Sequence, residues 1–145
     1  MVDSASGRVA LFSIHPRFAD AILRGEKRVE FRRRAPSSVS HVIVYATAPV
    51  QRIVGWFRVD SVEAEPPSIL WQRFGEIGGI GAEEFARYYA TCEVGSALRV
   101  AEVSRLERPV MIEAVGAGVT PPQSFRYVAW EDFEALRGEG GCAAS

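Results

Sequence analysis

Asparagine is absent from this chain of 145 residues, lysine occurs once, at Lys27, and there are two cysteines, Cys92 and Cys142. Two distant cysteines, the second in a Gly/Ala/Ser tail, make neither a disulfide framework nor a metal-ligand cluster. No metal or other cofactor is expected. Long apolar runs are also missing: the uncharged stretch from Val42 to Gln51 covers ten residues, and a membrane-spanning helix needs roughly 20. The polar N-terminus lacks a signal-peptide core. A soluble, cytoplasmic protein is expected, with no membrane contact. Neither G-x-x-x-x-G-K-[ST] nor G-x-G-x-x-G follows a strand, and the glycine run at 75–81 lacks the lysine that a phosphate loop uses. Hydrophobic residues make up 48% and charged residues 24%, which excludes whole-chain disorder. The length suits one domain over 1–145, with 1–7 and 139–145 as flexible tails.

Net charge is −1 but uneven: Arg8 to Arg34 carries net +5 and the remainder net −6. A basic lobe on an acidic body suits one anionic partner rather than bulk coating of duplex nucleic acid. Sixteen arginines against one lysine, with no asparagine, fit GC-rich, bacterial-type coding. They also single out Lys27, because an ammonium and a guanidinium are not interchangeable.

Alternation and turn residues predict main strands at 9–14, 27–34, 42–47, 51–62 and 98–107. Residues 109–115 are a candidate continuation of the last. Pro16 opens a short helix over 16–24 that Gly25 closes. Weaker helices are expected at 68–75 and 82–91, the second with a stripe of Phe85, Tyr88 and Tyr89. Trp130, Phe133 and Leu136 are spaced for a last helix. In the second strand Val29 and Phe31 share one face, and Glu30 and Arg32 the other. In the fourth, Ile53, Gly55, Phe57 and Val59 share a face opposite Trp56. The fold class is therefore mainly β (α+β): a small curved sheet or partly closed barrel with short helices packed on its ends.

Gly25, Lys27, Glu30 and Arg32 spell G-x-K-x-x-E-x-R at a helix-to-strand junction. Such rims bind ligands, and Lys, Glu and Arg together can hold a phosphate, a carboxylate or a polar base edge. On a regular strand Lys27 faces away from the other two; a twisted entry at Gly25 would bring it in. A charged outer strand face is the plain alternative. Tyr45 and Trp56 are candidates to stack a base, or sheet packing. Ser13 and His15 end the first strand near the motif. His15 is a candidate base or phosphate contact, or a helix-entry residue, and His41 is structural. Gln123, Ser124 and Tyr127 follow two prolines: Gln can read an adenine edge and Ser can bind phosphate, or the loop satisfies its own backbone.

The segments LFSIHPRFADAILRGEKRVEFRRR, HVIVYATAPVQRIVGWFRV and PPQSFRYV resemble the ASCH domain of the PUA-like superfamily, over residues 9 to about 137. The family's G-x-K-x-x-E-x-R is met in full. The resemblance implies a PUA-like β-barrel whose cleft is faced by the motif and contacts RNA or a nucleotide. It favours the cleft for Gln123, Ser124 and Tyr127.

Three function classes follow. The first is a binding module for RNA, single-stranded nucleic acid or a modified nucleoside, with Lys27, Glu30 and Arg32 in its pocket. The second is a hydrolase, with Lys27, Glu30 and His15 as the catalytic candidates. Some ASCH proteins remove the acetyl group of N4-acetylcytidine, using the motif lysine and a threonine three residues later; here that position is Glu30, which should hold Lys27 protonated. Others are described as ribonucleases. The third is a regulatory or partner-binding domain sensing a small ligand, with the aromatic helix around Tyr88 and Tyr89 as its surface.

Overall fold

The structure is a computed structural model and describes residues 7–139. Its strands are β1 (Arg8–Ile14), β2 (Val29–Arg32), β3 (Val39–Ala46), β4 (Arg52–Glu65), β5 (Gly95–Val110) and β6 (Phe125–Val128). Its helices are α1 (Pro16–Leu23), α2 (Pro67–Phe74), α3 (Ala82–Tyr88) and α4 (Trp130–Glu139), with a 3-10 turn at Ile112–Val115. No described helix is long and apolar enough to cross a membrane. Of the expected tails, only Gly7 and Glu139 are described. Gly7 is buried, and its carbonyl accepts a hydrogen bond from the Trp130 indole at 3.1 Å.

The six strands form one mixed sheet in the order β2-β5-β4-β3-β1-β6. β1 and β3 run parallel, and every other neighbouring pair is antiparallel. A parallel pair needs a crossover; this one carries α1 and then β2, which crosses to the far edge. The ladder does not close, so of the two expected forms, a curved sheet or a partly closed barrel, the molecule takes the open, curled sheet. Its two ends are brought together by a side chain: Arg32 on β2 donates to the carbonyls of Ser13 and Ser124 at 3.2 and 3.3 Å.

Three apolar cores surround the sheet. Val9, Leu11, Ile43, Tyr45, Ile53 and Trp56 meet the 3-10 turn and α4 through Ile112, Phe133 and Leu136. On the other face, Phe12, Val42, Val44, Phe57 and Leu98 pack on α1 through Ala19, Ile22 and Leu23. Val29, Phe31 and Ala97 pack on α2 and α3 through Leu70, Phe74, Phe85 and Tyr89. His41 lies between Trp130 and Phe133 in the first of these regions, with Ser40 Oγ 2.9 Å from its Nδ1.

Simple alternation fails early in β4. Tyr45 pairs with Ile53 and Val44 with Gly55, so Val54 is an extra, bulged residue. The bulge shifts the phase of β4. Ile53 and Trp56 therefore share the α4 core, while Phe57 and Val59 face α1. The expected grouping of Ile53 with Phe57 is wrong for that reason. The segment 109–115 also splits: β5 runs to Val110, and the 3-10 turn follows.

Phe133 is fully buried and touches the rings of Trp56, His41 and Trp130. Phe133→Ala should lower stability by about 3–5 kcal/mol in urea unfolding. A loss within about 0.5 kcal/mol, the range of ordinary surface changes, would mean that α4 is not a structural cover.

Candidate nucleotide-binding cleft

The motif is built by the way α1 ends. The Arg24 N–H closes on Asp20, the Gly25 N–H on Ile22 and the Glu26 N–H on Ala21. Gly25 sits at φ +83°. This is the Schellman pattern, in which a left-handed residue after the helix satisfies its last carbonyls. The Lys27 N–H then shares the Ala21 carbonyl, and the Arg28 N–H bonds to Ile77. β2 begins only at Val29. Lys27 thus precedes the strand and escapes its alternation, which is how it joins Glu30 and Arg32.

Lys27 is 2% exposed. Its ammonium donates to the Gly78 carbonyl and lies 5.0 and 5.4 Å from the centres of the Phe18 and Phe31 rings. Its Nζ is 3.8 Å from Glu30 Oε1, while Glu30 Oε2 is 3.4 Å from Arg32 Nε. One buried carboxylate is therefore shared by two cations. Burial lowers the Lys27 pKa; Glu30 opposes that shift without cancelling it, and Arg32 adds to it. Desolvation thus outweighs the Glu30 contribution, and the net shift of the amine is downward.

The glycine run that carries no phosphate-loop signature has a packing role here. Gly79 is at φ +66°, and a Cβ on it would lie 2.9 Å from the Cβ of Lys27. A Cβ on Gly78 would meet the Phe31 ring. The run forms the wall against which the lysine stem lies.

Ser13, His15, Lys27, Glu30 and Arg32 line one cleft of about 420 Å³, together with Phe18, Phe31, Ile80, Glu84, Arg87 and Tyr88. His15 is exposed and caps α1, its Nδ1 accepting from the Arg17 N–H at 3.2 Å. The Ser13 hydroxyl donates to the Pro122 carbonyl at 2.6 Å. At the mouth, Arg17 Nη2 donates to both carboxylate oxygens of Glu84, at 2.8 and 3.0 Å, linking α1 to α3. Among the described residues, no three His, Cys, Asp or Glu side chains converge as metal ligands would.

Other sequence candidates lie elsewhere. Tyr45 and Trp56 are 4% and 8% exposed within the α4 core, so neither presents a ring for base stacking in the cleft. Gln123 and Ser124 are exposed on the loop before β6 and do not line the cleft. The loop contributes the Ser124 carbonyl, which accepts from Arg32 and, at 3.4 Å, from the Ser13 N–H. The Tyr127 hydroxyl is held by the Ser37 backbone and side chain, its ring 4.3 Å from the Arg8 guanidinium and outside the cleft. Those Ser37 hydrogen bonds, and then Arg8, hold the Tyr127 phenol below its ordinary pKa. Tyr89, which caps the end of α3, is buried, its hydroxyl placed between the Arg32 and Ser96 carbonyls, and burial raises its pKa. Sequence reasoning missed Phe18, Glu84 and Arg87. Phe18 reads as an ordinary helix-face residue, and α3 reaches the cleft only through long-range packing.

A family model described as the ASCH domain matches residues 12–137. The chain belongs to the ASCH family. ASCH domains are PUA-like, and the mainly β, α+β sheet is of that class. An ASCH domain-containing ribonuclease of Zymomonas mobilis is 28% identical over 94% of this chain and 95% of its own. The crystal structure of the ASCH protein from Zymomonas mobilis is similar at a TM-score of 0.82 and 27% identity, covering 91% of this chain and 95% of that one. The N-terminal domain of Staphylothermus marinus McrB shares the fold at a TM-score of 0.57 and 13% identity, covering 92% and 94%.

Within this ASCH domain, Glu30→Ala strands two buried cations. It should lower stability by about 3 kcal/mol in urea unfolding, whereas a loss below about 0.5 kcal/mol would show that the carboxylate is not their shared partner. Lys27 also predicts a pH effect. Its folded pKa lies below the 10.5 of the free side chain, so between the two values the unfolded chain binds more protons and stability rises with pH. The stability of the native chain relative to Lys27→Met should therefore improve as pH climbs toward 10.5, and a pH-independent difference would refute the lowered amine.

Proposed function

We propose that this ASCH domain binds single-stranded RNA, taking one nucleotide into the Lys27–Glu30–Arg32 cleft. The observation that carries the reading is the cleft itself: about 420 Å³ that joins the cations Lys27, Arg32 and Arg87, the carboxylates of Glu30 and Glu84, and the rings of Phe18, Phe31 and Tyr88. Such volumes suit a small polar ligand. Aromatic rings stack bases at about 1–3 kcal/mol each, and lysine and arginine hold phosphate or base oxygens. The similarity to a ribonuclease of Zymomonas mobilis supports RNA as the partner. A cytoplasmic setting and a single acting domain go with this reading.

That relative also favours a second reading, RNA cleavage. His15 is exposed at the cleft, and its ring is suited to general acid–base work. The lowered Lys27 amine would stand beside it. Deacetylation of N4-acetylcytidine has less support, because Glu30 occupies the place of the hydroxyl.

Fluorescence anisotropy with a labelled ten-nucleotide RNA, followed on a denaturing gel, tests both readings. Binding should be saturable and weakened about tenfold (~1.4 kcal/mol) by Lys27→Arg, because the glycine wall leaves no room for a planar guanidinium. Absence of binding would remove the first reading. Binding unchanged in Lys27→Arg would move it away from this cleft. Cleavage products that disappear in His15→Ala would put the second reading in its place.

A further inference from the structure

Glu30 has a feature that ion pairing leaves unexplained. The residue is 7% exposed and lines the cleft. Lys27 and Arg32 approach its oxygens only at 3.8 and 3.4 Å, and no described residue donates a hydrogen bond to either oxygen. An ionised carboxylate has room for about four such bonds, and the Glu30 oxygens are not among the sealed polar atoms, so they stay open to the cleft. The neighbouring cations are engaged in part, with two of the three Lys27 donors still free of a hydrogen bond among the described residues. Lys27 donates to the Gly78 carbonyl, and Arg32 Nη2 to those of Ser13 and Ser124. Arg32 Nε is buried without a hydrogen bond, so it cannot itself reach a ligand. What the cleft offers unspent is a pair of acceptor oxygens, with the ammonium of Lys27 beside one of them.

Resting on the RNA-binding reading above, we propose that the cleft selects guanine. Guanine alone among the four bases presents two adjacent donors on one edge, N1–H and the N2 amino group, which match the two oxygens of a carboxylate. Its neighbouring O6 is an acceptor, on the side where the Lys27 ammonium supplies donors. Adenine and cytosine each bring a single amino group next to a ring nitrogen that is itself an acceptor. Uracil brings one N–H between two carbonyl oxygens, which the Glu30 carboxylate repels. Glu30 is thus a specificity-determining residue, set between Lys27 and Arg32.

The test is a panel of five-nucleotide RNAs, all uridine except for a central guanosine, inosine, adenosine, cytidine or uridine, titrated against the unaltered protein by fluorescence anisotropy. The guanosine RNA should bind about fivefold or more tightly than the uridine RNA, as expected for one two-pronged base contact. Inosine, which lacks the N2 amino group, should lose most of that preference. Glu30→Gln, which replaces one acceptor with a donor, should abolish it. Equal binding of all five RNAs would overturn guanine selection and leave RNA binding standing, as would a preference for adenosine or cytidine. No binding to any of them would remove both. The panel needs no altered protein, so it decides the matter even if Glu30→Gln fails to fold.

Discussion

The placement of a lysine in the interior is the constraint on which the rest of this molecule turns. Moving an ammonium out of water is expensive unless it is paired and hydrogen-bonded. Lys27 meets that requirement through the Gly78 carbonyl, the Phe18 and Phe31 rings and the Glu30 carboxylate. Each provider constrains its own surroundings. Residue 78 has no space for a side chain, residue 79 adopts a left-handed backbone against the lysine stem, and α1 ends in a tight reversal that points residue 27 inward.

The same carboxylate ties the site to the shape of the sheet. Arg32, held by Glu30 on one side and stacked 4.4 Å from the Phe12 ring on the other, reaches the carbonyls of Ser13 and Ser124. Ser13 and Ser124 belong to the end of the sheet opposite β2. A ladder that stays open by its backbone bonds is thus drawn into a curl by one guanidinium, and the cleft is the hollow of that curl. The α4 core closes the far face without contributing a cleft residue.

How much of this was legible in the sequence follows from the range of the interactions. The spacing of Gly25, Lys27, Glu30 and Arg32 is local, so the motif, the helix that precedes it and the opposite faces of Val29 and Glu30 can all be read from neighbouring residues. Whether Lys27 joins the group depends on where β2 begins, and a two-residue shift in that boundary reverses the answer. Tyr45 and Trp56 read as a candidate stacking pair because both lie on adjacent strands. The bulge at Val54 and the arrival of Phe133 from the far end of the chain place them in a core instead. β6 has four residues, too few for alternation to declare itself, and its pairing with β1 spans more than a hundred positions. The glycines at 78 and 79 showed only what they lacked, because their purpose is to fit a side chain some fifty residues away.

The charge distribution narrows the kind of recognition the cleft can perform. The segment from Arg8 to Arg34 carries net +5, but much of it is spoken for within the fold. Arg17 is paired with Glu84, Arg24 with Asp20 and Glu26, and Arg32 and Lys27 with Glu30. Arg8 and Arg33 lie over tyrosine rings. Rings do not neutralise charge, so Arg8 and Arg33, together with the exposed Arg28 and Arg34, keep a modest positive field that is screened beyond a Debye length of about 8–10 Å. A protein that coats duplex nucleic acid needs the opposite, many unpaired cations spread along a face. Here the polar groups converge on one hollow large enough for a single nucleotide, and affinity must come from short-range fit within it. Such an arrangement suits the fit of one base better than the tracking of a long backbone.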